Sequence, residues 1–206
     1  TLIVAGEDNP MWQGFLPDPA SLAPADGDAV RRVYRDASGA PTAAPFFDLL
    51  AIHELGHAFT SQAGIQVQRL WMGEFLPNLV LHSWVEEAAP ELLPALALLP
   101  DLGVAAGPGG HRYTTLAGLE ENYVLIGQQH PDNYGWYQFR WHQGARRLYE
   151  AGGSVTLDRL WNALRDTPER LDDAALVELL DQRVHPFLGS YVRNWDRETG
   201  TPPNLR

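Results

Sequence analysis

Two histidines and a glutamate fall within the short segment His53-Glu54-Leu55-Gly56-His57. On an α-helix, side chains four positions apart lie on one face, with Cβ atoms about 5–6 Å apart. That spacing lets the imidazoles of His53 and His57 reach one zinc ion at about 2.0–2.1 Å. Glu54 projects from the same side of the helix and can accept a proton from a water molecule whose pKa the zinc lowers toward about 7. The segment therefore predicts a zinc-dependent hydrolase in which Glu54 is the general base.

A catalytic zinc ion normally has three protein ligands, so a third must come from elsewhere in the chain. Glu74 is favoured, because positions 58–73 leave room for one helix to end and a second to return. Asn78 lies four residues later on the same helical face, where it can accept the spare N–H of a histidine ligand. His82 continues this face and is the alternative third ligand, since three histidines also suit zinc. The other nearby carboxylates are less favoured: Glu87, Glu91, Glu120 and Glu121.

An HExxH segment followed by a glutamate on a second helix resembles the gluzincin metallopeptidases, which include thermolysin-like and aminopeptidase-like families. The resemblance covers residues 45–88 and implies that His53, His57 and Glu74 are the zinc ligands. The extended HExxHxxGxxH pattern of metzincins is absent, because Thr60 and Ala63 occupy its last two defined positions.

Two shorter elements extend the resemblance. Glu74-x-x-x-Asn78 is similar to the ExxxD element of thermolysin-like enzymes, with asparagine in place of aspartate. Trp71-x-x-Glu74 is similar to the WxxE element of aminopeptidase-like members. The Gly-x-Met-Glu-Asn motif of exopeptidases is absent, so the resemblance does not imply activity at a substrate N-terminus.

Peptide hydrolysis also requires a hydrogen-bond donor for the oxyanion that forms on the attacked carbonyl. Gluzincins resemble one another in taking this donor, a tyrosine or a histidine, from their C-terminal helical part. The corresponding candidates are Tyr137 and Tyr134, with His142 behind them. Tyr134 and Tyr137 share their helical spacing with Trp141, which is equally typical of a buried face, so a core role is the alternative for each tyrosine.

Composition excludes several other chemistries. The 206 residues include no cysteine, which removes disulfides, thiolate ligands and cysteine nucleophiles. All 15 basic residues are arginine, so Schiff-base catalysis and a phosphate loop with an essential lysine are also excluded. The net charge of −11 argues against nucleic acid as a partner, because phosphate binding needs a basic surface. No apolar run is long enough to predict a membrane span.

The predicted fold is α+β and predominantly α, in a single zincin-like domain over 1–206. Residues 1–44 form a strand and loop part, with strands over Leu2–Ala5 and Ala29–Arg35. Residues 45–206 form a helical part, with the HExxH helix at the junction. Helices are predicted over 45–62, 73–88, 92–99, 116–127, 134–150, 156–165 and 173–184, with a loop over 100–114 and caps at Thr115 and Asn133.

Three functions fit these residues. The first is a metallopeptidase that cleaves a peptide or protein substrate, the second a zinc hydrolase of a non-peptide amide or ester, and the third a non-catalytic metal-binding protein with a peptidase-like fold. The intact Glu54 favours a hydrolase, because a scaffold has no need of a base. Cytoplasmic location is slightly favoured, with export left open. Cleavage specificity and oligomeric state are also left open.

Overall fold

The computed structural model describes residues 13–198, and this part of the chain is all-α, with 74% of it helical. Extended pairing between residues 13 and 198 amounts to an isolated antiparallel bridge between Arg35 and Pro41. The α+β prediction is therefore corrected to an all-α fold for the described residues. The predicted strand over Leu2–Ala5 lies outside that range.

The predicted strand over Ala29–Arg35 is wrong, because most of these residues belong to helix α1, Pro24–Val33. A proline in the first turn, an aspartate near the positive N-terminal end and two arginines in the last turn all favour a helix. Val30 and Tyr34 lie four residues apart and are both buried. The Tyr34 hydroxyl donates to the carbonyl oxygen of Ala95 at 2.7 Å. The apparent alternation of a strand is thus the spacing of one helical face.

The other helices follow with short connections. Two 3₁₀ turns, Pro19–Ser21 and Pro90–Leu92, and a π-helical turn, Leu180–Val184, lie among them. The α-helices are α2 Ala44–Phe47, α3 Leu50–Gln62, α4 Leu70–Ala88, α5 Leu93–Ala105, α6 Leu116–Gln129, α7 Pro131–Gly152, α8 Val155–Arg165, α9 Asp173–Leu179 and α10 Pro186–Glu198.

The helix predicted over 45–62 is present but divided. At Asp48 and Leu49 the backbone bonds shift to i→i−3 geometry, with Leu49 N–H donating to Phe46 O and Ile52 N–H to Leu49 O. This tighter turn separates α2 from α3. All of the HExxH segment lies within α3, as predicted.

The loop predicted over 100–114 begins later than expected, because α5 continues through Pro100 to Ala105. Leu96 and Leu99 are buried, and Gly103 lies so close to Phe139 on α7 that a Cβ atom at position 103 would fall within 2.3 Å of its ring. Tertiary packing on this scale overrides the helix-breaking tendency of an internal proline.

The predicted helix ends are partly right. The Thr115 hydroxyl accepts the Gly118 N–H at 2.9 Å, which confirms the predicted cap of α6. Asn133 does not cap α7, because Pro131 starts that helix earlier. The Asn133 side chain instead forms two hydrogen bonds with the backbone of Tyr113 and so holds the loop before α6 against α7. Helix α10 had no counterpart in the prediction.

Two groups of buried apolar side chains stabilise the fold, and α4 and α7 contribute to both. The N-terminal core contains Val30, Tyr34, Phe46, Leu49, Leu81, Val85, Ala95, Leu96, Leu99 and Phe139. The C-terminal core is larger and includes Trp71, Met72, Phe75, Leu79, Trp136, Trp141, Leu160, Tyr191 and Trp195.

No single helix between residues 13 and 198 has the length and apolar character needed to cross a membrane. One pair passes that test of length and composition only when joined, Leu70–Ala88 with Pro90–Ala105, and it is bent by 120° at the break.

Candidate metal centre

The centre is built where α3 crosses α4. Gly56 lies against Pro77, and a Cβ atom at position 56 would be 2.9 Å from the Pro77 Cα. Because glycine has no side chain, the two helix backbones approach closely at this point. The crossing brings His53 and His57 on α3 toward Glu74 on α4. His53 and Glu74 are buried, with 5% and 7% of their surface exposed, and His57 is half-buried.

Three ligand atoms converge at the crossing. His53 Nε2 lies 3.0 Å from His57 Nε2, and Glu74 Oε2 lies 3.4 Å from the first and 3.6 Å from the second. In a tetrahedral site with metal–ligand distances near 2.0–2.1 Å, neighbouring ligand atoms are about 3.3 Å apart. The three atoms therefore have the separation that a single small cation requires. His53, His57 and Glu74 could hold a metal ion together.

The other ring nitrogen of His53 faces Asn78, and His53 Nδ1 and Asn78 Oδ1 are 2.7 Å apart. Asn78 is fully buried. An amide oxygen only accepts hydrogen bonds, so this arrangement places the imidazole hydrogen on Nδ1 and leaves the Nε2 lone pair free. A partner of this kind orients a metal-binding histidine.

Two residues that the sequence analysis did not identify complete the surroundings of Glu74. The Tyr123 hydroxyl on α6 donates to Glu74 Oε1 at 2.6 Å. Gln138 Nε2 on α7 donates to Glu74 Oε2 at 2.7 Å, and to the Tyr134 hydroxyl at 2.9 Å. Gln138 lies four residues after Tyr134, so the shared helical face was a signal for it. Nothing in the sequence pattern singled out Tyr123.

The electrostatics of the cluster favour a carboxylate at Glu74. Burial alone would raise the pKa of Glu74, but the adjacent imidazoles of His53 and His57 and the hydroxyl of Tyr123 outweigh it and hold this pKa far below its usual range. The Glu74 carboxylate in turn raises the pKa of His57, against the opposing effect of burial. A negative charge close to two imidazoles is the arrangement expected of a cation site.

Glu54 lines the same cleft as the three candidate ligands His53, His57 and Glu74. Its side chain is exposed, unlike that of its neighbour His53. The cleft has a volume of about 390 Å³. Apolar side chains form a further part of the cleft wall: Phe15, Phe46, Phe47, Leu50 and Phe139.

The structure separates the two tyrosines proposed as oxyanion donors. Tyr134 lines the cleft together with Gln138 and Glu74. Tyr137 does not line it: the side chain is fully buried, stacks between Trp141 and Trp195, and donates its hydroxyl to Thr115 O at 2.7 Å. The proposal of Tyr137 as a catalytic group is therefore corrected to the core role, since its only hydroxyl hydrogen is already committed.

His82, the alternative third ligand, lies apart from the three converging atoms. It is buried against Tyr149, and its Nε2 is 3.4 Å from Glu86 Oε1 without a hydrogen bond to any described residue. Burial, followed by the charge of Arg146, lowers the pKa of His82 to about 4. The structure thus brings Glu74, and not His82, to the two histidines of α3.

The remaining candidates have other surroundings. His142 lines the cleft, with its ring centroid 6.3 Å from that of His53, and burial lowers its pKa well below the usual value. Glu120 accepts the backbone N–H of Trp71 at 3.1 Å and so satisfies a free donor at the start of α4.

No protein-family model, curated protein or solved structure matches this chain. The resemblance to gluzincins therefore remains a prediction based on the sequence motif alone.

Proposed function

We propose that this protein is a zinc-dependent hydrolase, and specifically a metallopeptidase. The observation that carries the proposal is the convergence of His53 Nε2, His57 Nε2 and Glu74 Oε2 at mutual distances of 3.0–3.6 Å, on a cleft that Glu54 also lines. Two imidazoles and one carboxylate are a ligand set used by catalytic zinc, which keeps a further coordination position open.

The residues that line the cleft have distinct roles in the proposed reaction. When bound, zinc would lower the pKa of a coordinated water and polarise the substrate carbonyl. Glu54 would accept the proton of the attacking water and pass it to the leaving amine. Its exposed position on the cleft wall suits a group that must exchange protons with substrate and solvent.

Tyr134 would donate a hydrogen bond to the oxyanion. Burial, and then the nearby charge of Glu74, raise the pKa of Tyr134 strongly, so its hydroxyl keeps its hydrogen. Gln138 donates to this hydroxyl, and Tyr123 has already given its own hydrogen to Glu74. The Tyr134 hydrogen therefore has no strong acceptor among these groups, since the Tyr123 oxygen lies 3.5 Å away, and it is available to a substrate.

The cleft favours an apolar substrate group. Phe15, Phe46, Phe47 and Phe139 form its aromatic wall, with neighbouring ring centroids 5.3–6.0 Å apart in edge or tilted contacts. The charged side chains that line it among residues 13–198 are Glu54 and Glu74. A peptide with a large apolar side chain beside the cleaved bond fits such a wall better than a charged one.

Replacement of Glu54 by Gln tests the proposal. Glu54→Gln should bind zinc with unchanged stoichiometry, measured by atomic emission, and should lose turnover of a peptide library. Wild-type protein loaded with zinc should cleave the library. Zinc binding with cleavage of ester or amide substrates but not peptides would overturn the peptidase assignment. A Glu54→Gln variant as active as wild type would remove Glu54 from the base role.

A further inference from the structure

A continuous series of hydrogen bonds joins two of the three candidate ligands by a path through the protein. It runs from Glu74 Oε2 to Gln138 Nε2 at 2.7 Å, from Gln138 Oε1 to Asn78 Nδ2 at 3.1 Å, and from Asn78 Oδ1 to His53 Nδ1 at 2.7 Å. Glu74 and Asn78 lie on α4, whereas Gln138 reaches them from α7 and His53 from α3. Within the series, the side-chain amides of Gln138 and Asn78 each donate one hydrogen bond through nitrogen and accept one through oxygen.

The ionised Glu74 gives this series a single direction. A carboxylate can only accept, so the amide of Gln138 must turn its NH₂ group toward Glu74 and its oxygen toward Asn78. That oxygen can also only accept, which turns the NH₂ group of Asn78 toward Gln138. The Asn78 oxygen is thereby left facing His53, which must carry its imidazole hydrogen on Nδ1.

The reverse orientation of Asn78 is unfavourable on two counts. Two amide oxygens, those of Asn78 and Gln138, would face each other in a buried position, where unpaired polar atoms are costly. The Asn78 NH₂ group would then face His53 Nδ1, which would have to be the acceptor. The imidazole hydrogen would move to Nε2, and the nitrogen that points at His57 and Glu74 could no longer bind a cation.

We propose that Gln138 is a positioning residue that transmits the charge of Glu74 to His53 and fixes the imidazole hydrogen of His53 on Nδ1. This inference rests on the proposed metal centre, but it concerns the protein before metal binds. Gln138 thereby prepares the His53 lone pair for the cation without contacting the cation itself.

The test is the tautomer of His53 in the metal-free protein, measured from imidazole ¹⁵N chemical shifts at pH 8. In wild type we expect His53 to be protonated on Nδ1. In Gln138→Leu the direction of Asn78 is no longer imposed, so the Nε2–H form should become populated. The dissociation constant for zinc, measured by chelator competition, should rise by about 10–100-fold.

Rescue separates positioning from a general structural role. In the double variant Asn78→Asp/Gln138→Leu, a carboxylate at position 78 accepts from His53 whatever its own orientation, so the Nδ1–H form and most of the zinc affinity should return. Lost packing at position 138 would not be repaired in this way. Gln143→Leu is the matched control, because it removes an amide on the same helix that bonds Asp101 instead.

Gln138→Met provides a second apolar variant if Gln138→Leu does not fold, as judged by circular dichroism. A wild-type tautomer and wild-type zinc affinity in the folded apolar variant would overturn the inference, and so would a double variant no better than Gln138→Leu. The tautomer measurement needs neither zinc nor turnover. Failure of the proposed hydrolase activity would therefore be seen separately from failure of the positioning role.

Discussion

Gly56 on α3 packs directly against Pro77 on α4, so closely that a Cβ atom at position 56 would lie 2.9 Å from the Pro77 Cα. Pro77 immediately precedes Asn78, and Gly56 immediately precedes His57. The residues at this crossing therefore carry the groups that form the metal centre. Gly56 occupies the second of the two spacer positions of HExxH and is here a packing residue, although the motif itself leaves that position unspecified.

A Gly56→Ala substitution should force the two helices apart. We expect a loss of about 1–3 kcal/mol in the free energy of unfolding, because backbone atoms at Pro77 cannot move aside as a flexible side chain could. Zinc affinity should fall as well. The control is Gly73→Ala on α4, where the nearest atom would be 3.9 Å away, on Val67. That variant should be neutral or slightly more stable in urea unfolding; equal stability of the two variants would contradict the packing role.

Glu74→Ala should weaken zinc binding far more than Glu87→Ala. Glu74 supplies one of the three converging oxygen and nitrogen atoms, whereas Glu87 is exposed near the end of the same helix. We expect a loss of zinc affinity on the order of 100-fold or more for Glu74→Ala, and little change for the control. Chelator competition measures both. Similar affinities in the two variants would remove Glu74 from the ligand set.

Replacement of individual tyrosines by phenylalanine should separate their roles. Tyr123→Phe removes a hydrogen bond to Glu74, so we expect about tenfold weaker zinc binding. Tyr134→Phe should keep zinc affinity nearly unchanged but lower kcat by about 100-fold, as loss of an oxyanion donor does. Tyr137→Phe is the off-cleft control and should leave zinc affinity and kcat near wild type. A larger fall in kcat for Tyr137→Phe than for Tyr134→Phe would reverse the assignment.

Phe47→Ala should alter substrate preference. Phe47 is half-buried on the aromatic wall of the cleft, so its removal takes away contact area for an apolar substrate side chain. For peptides with a large apolar residue we expect kcat/KM to fall about tenfold, with a smaller change for alanine-containing peptides. Phe59→Ala, an exposed phenylalanine on α3 outside the cleft wall, serves as control. Equal losses on large and small residues would argue against this wall as the binding surface.

His82 should make the fold sensitive to acid. Its pKa is about 4 in the folded protein, mainly because of burial, and about 6.5 when unfolded. Between these values the unfolded chain binds more protons at His82 than the folded protein does. The contribution of neutral His82 to the free energy of unfolding is therefore fully present above pH 6.5 and is lost as the pH falls toward 4. His82→Gln should reduce this loss by on the order of 3 kcal/mol. The remaining slope would come from groups such as His142; a control is His130→Gln, and an unchanged acid slope in His82→Gln would contradict the prediction.

The helix that carries the motif was predictable because its evidence is local. The spacing of His53 and His57 and the apolar residues around them are all properties of one segment. Glu74 could be inferred because one turn between two helices limits where a third ligand can come from. The contacts of Tyr123 and Gln138 depend instead on how α6 and α7 pack on α4, so no local pattern points to Tyr123 and only the helical spacing from Tyr134 points to Gln138.

The wrong predictions have two different causes. Val30, Val33 and Tyr34 suggested the alternation of a strand, but the helix signals at the two ends of α1 were stronger. Pro100 suggested the end of a helix, but the contact between Gly103 and Phe139 holds α5 together beyond it. In the first case local signals at the helix ends outweighed an apparent alternation, and in the second a contact distant in sequence outweighed a short-range preference.

The candidate ligands are held by different parts of the molecule. Leu50 and Ile52 attach the histidine-bearing helix to the N-terminal core, whereas Trp71, Met72 and Phe75 fix the turn that carries Glu74 in the C-terminal core. Local opening of either half would scatter the three atoms while most helical backbone stayed intact. A bound ion would accordingly link the N-terminal core to the C-terminal core. Retention of the ion would therefore report whether both cores are folded at the same time.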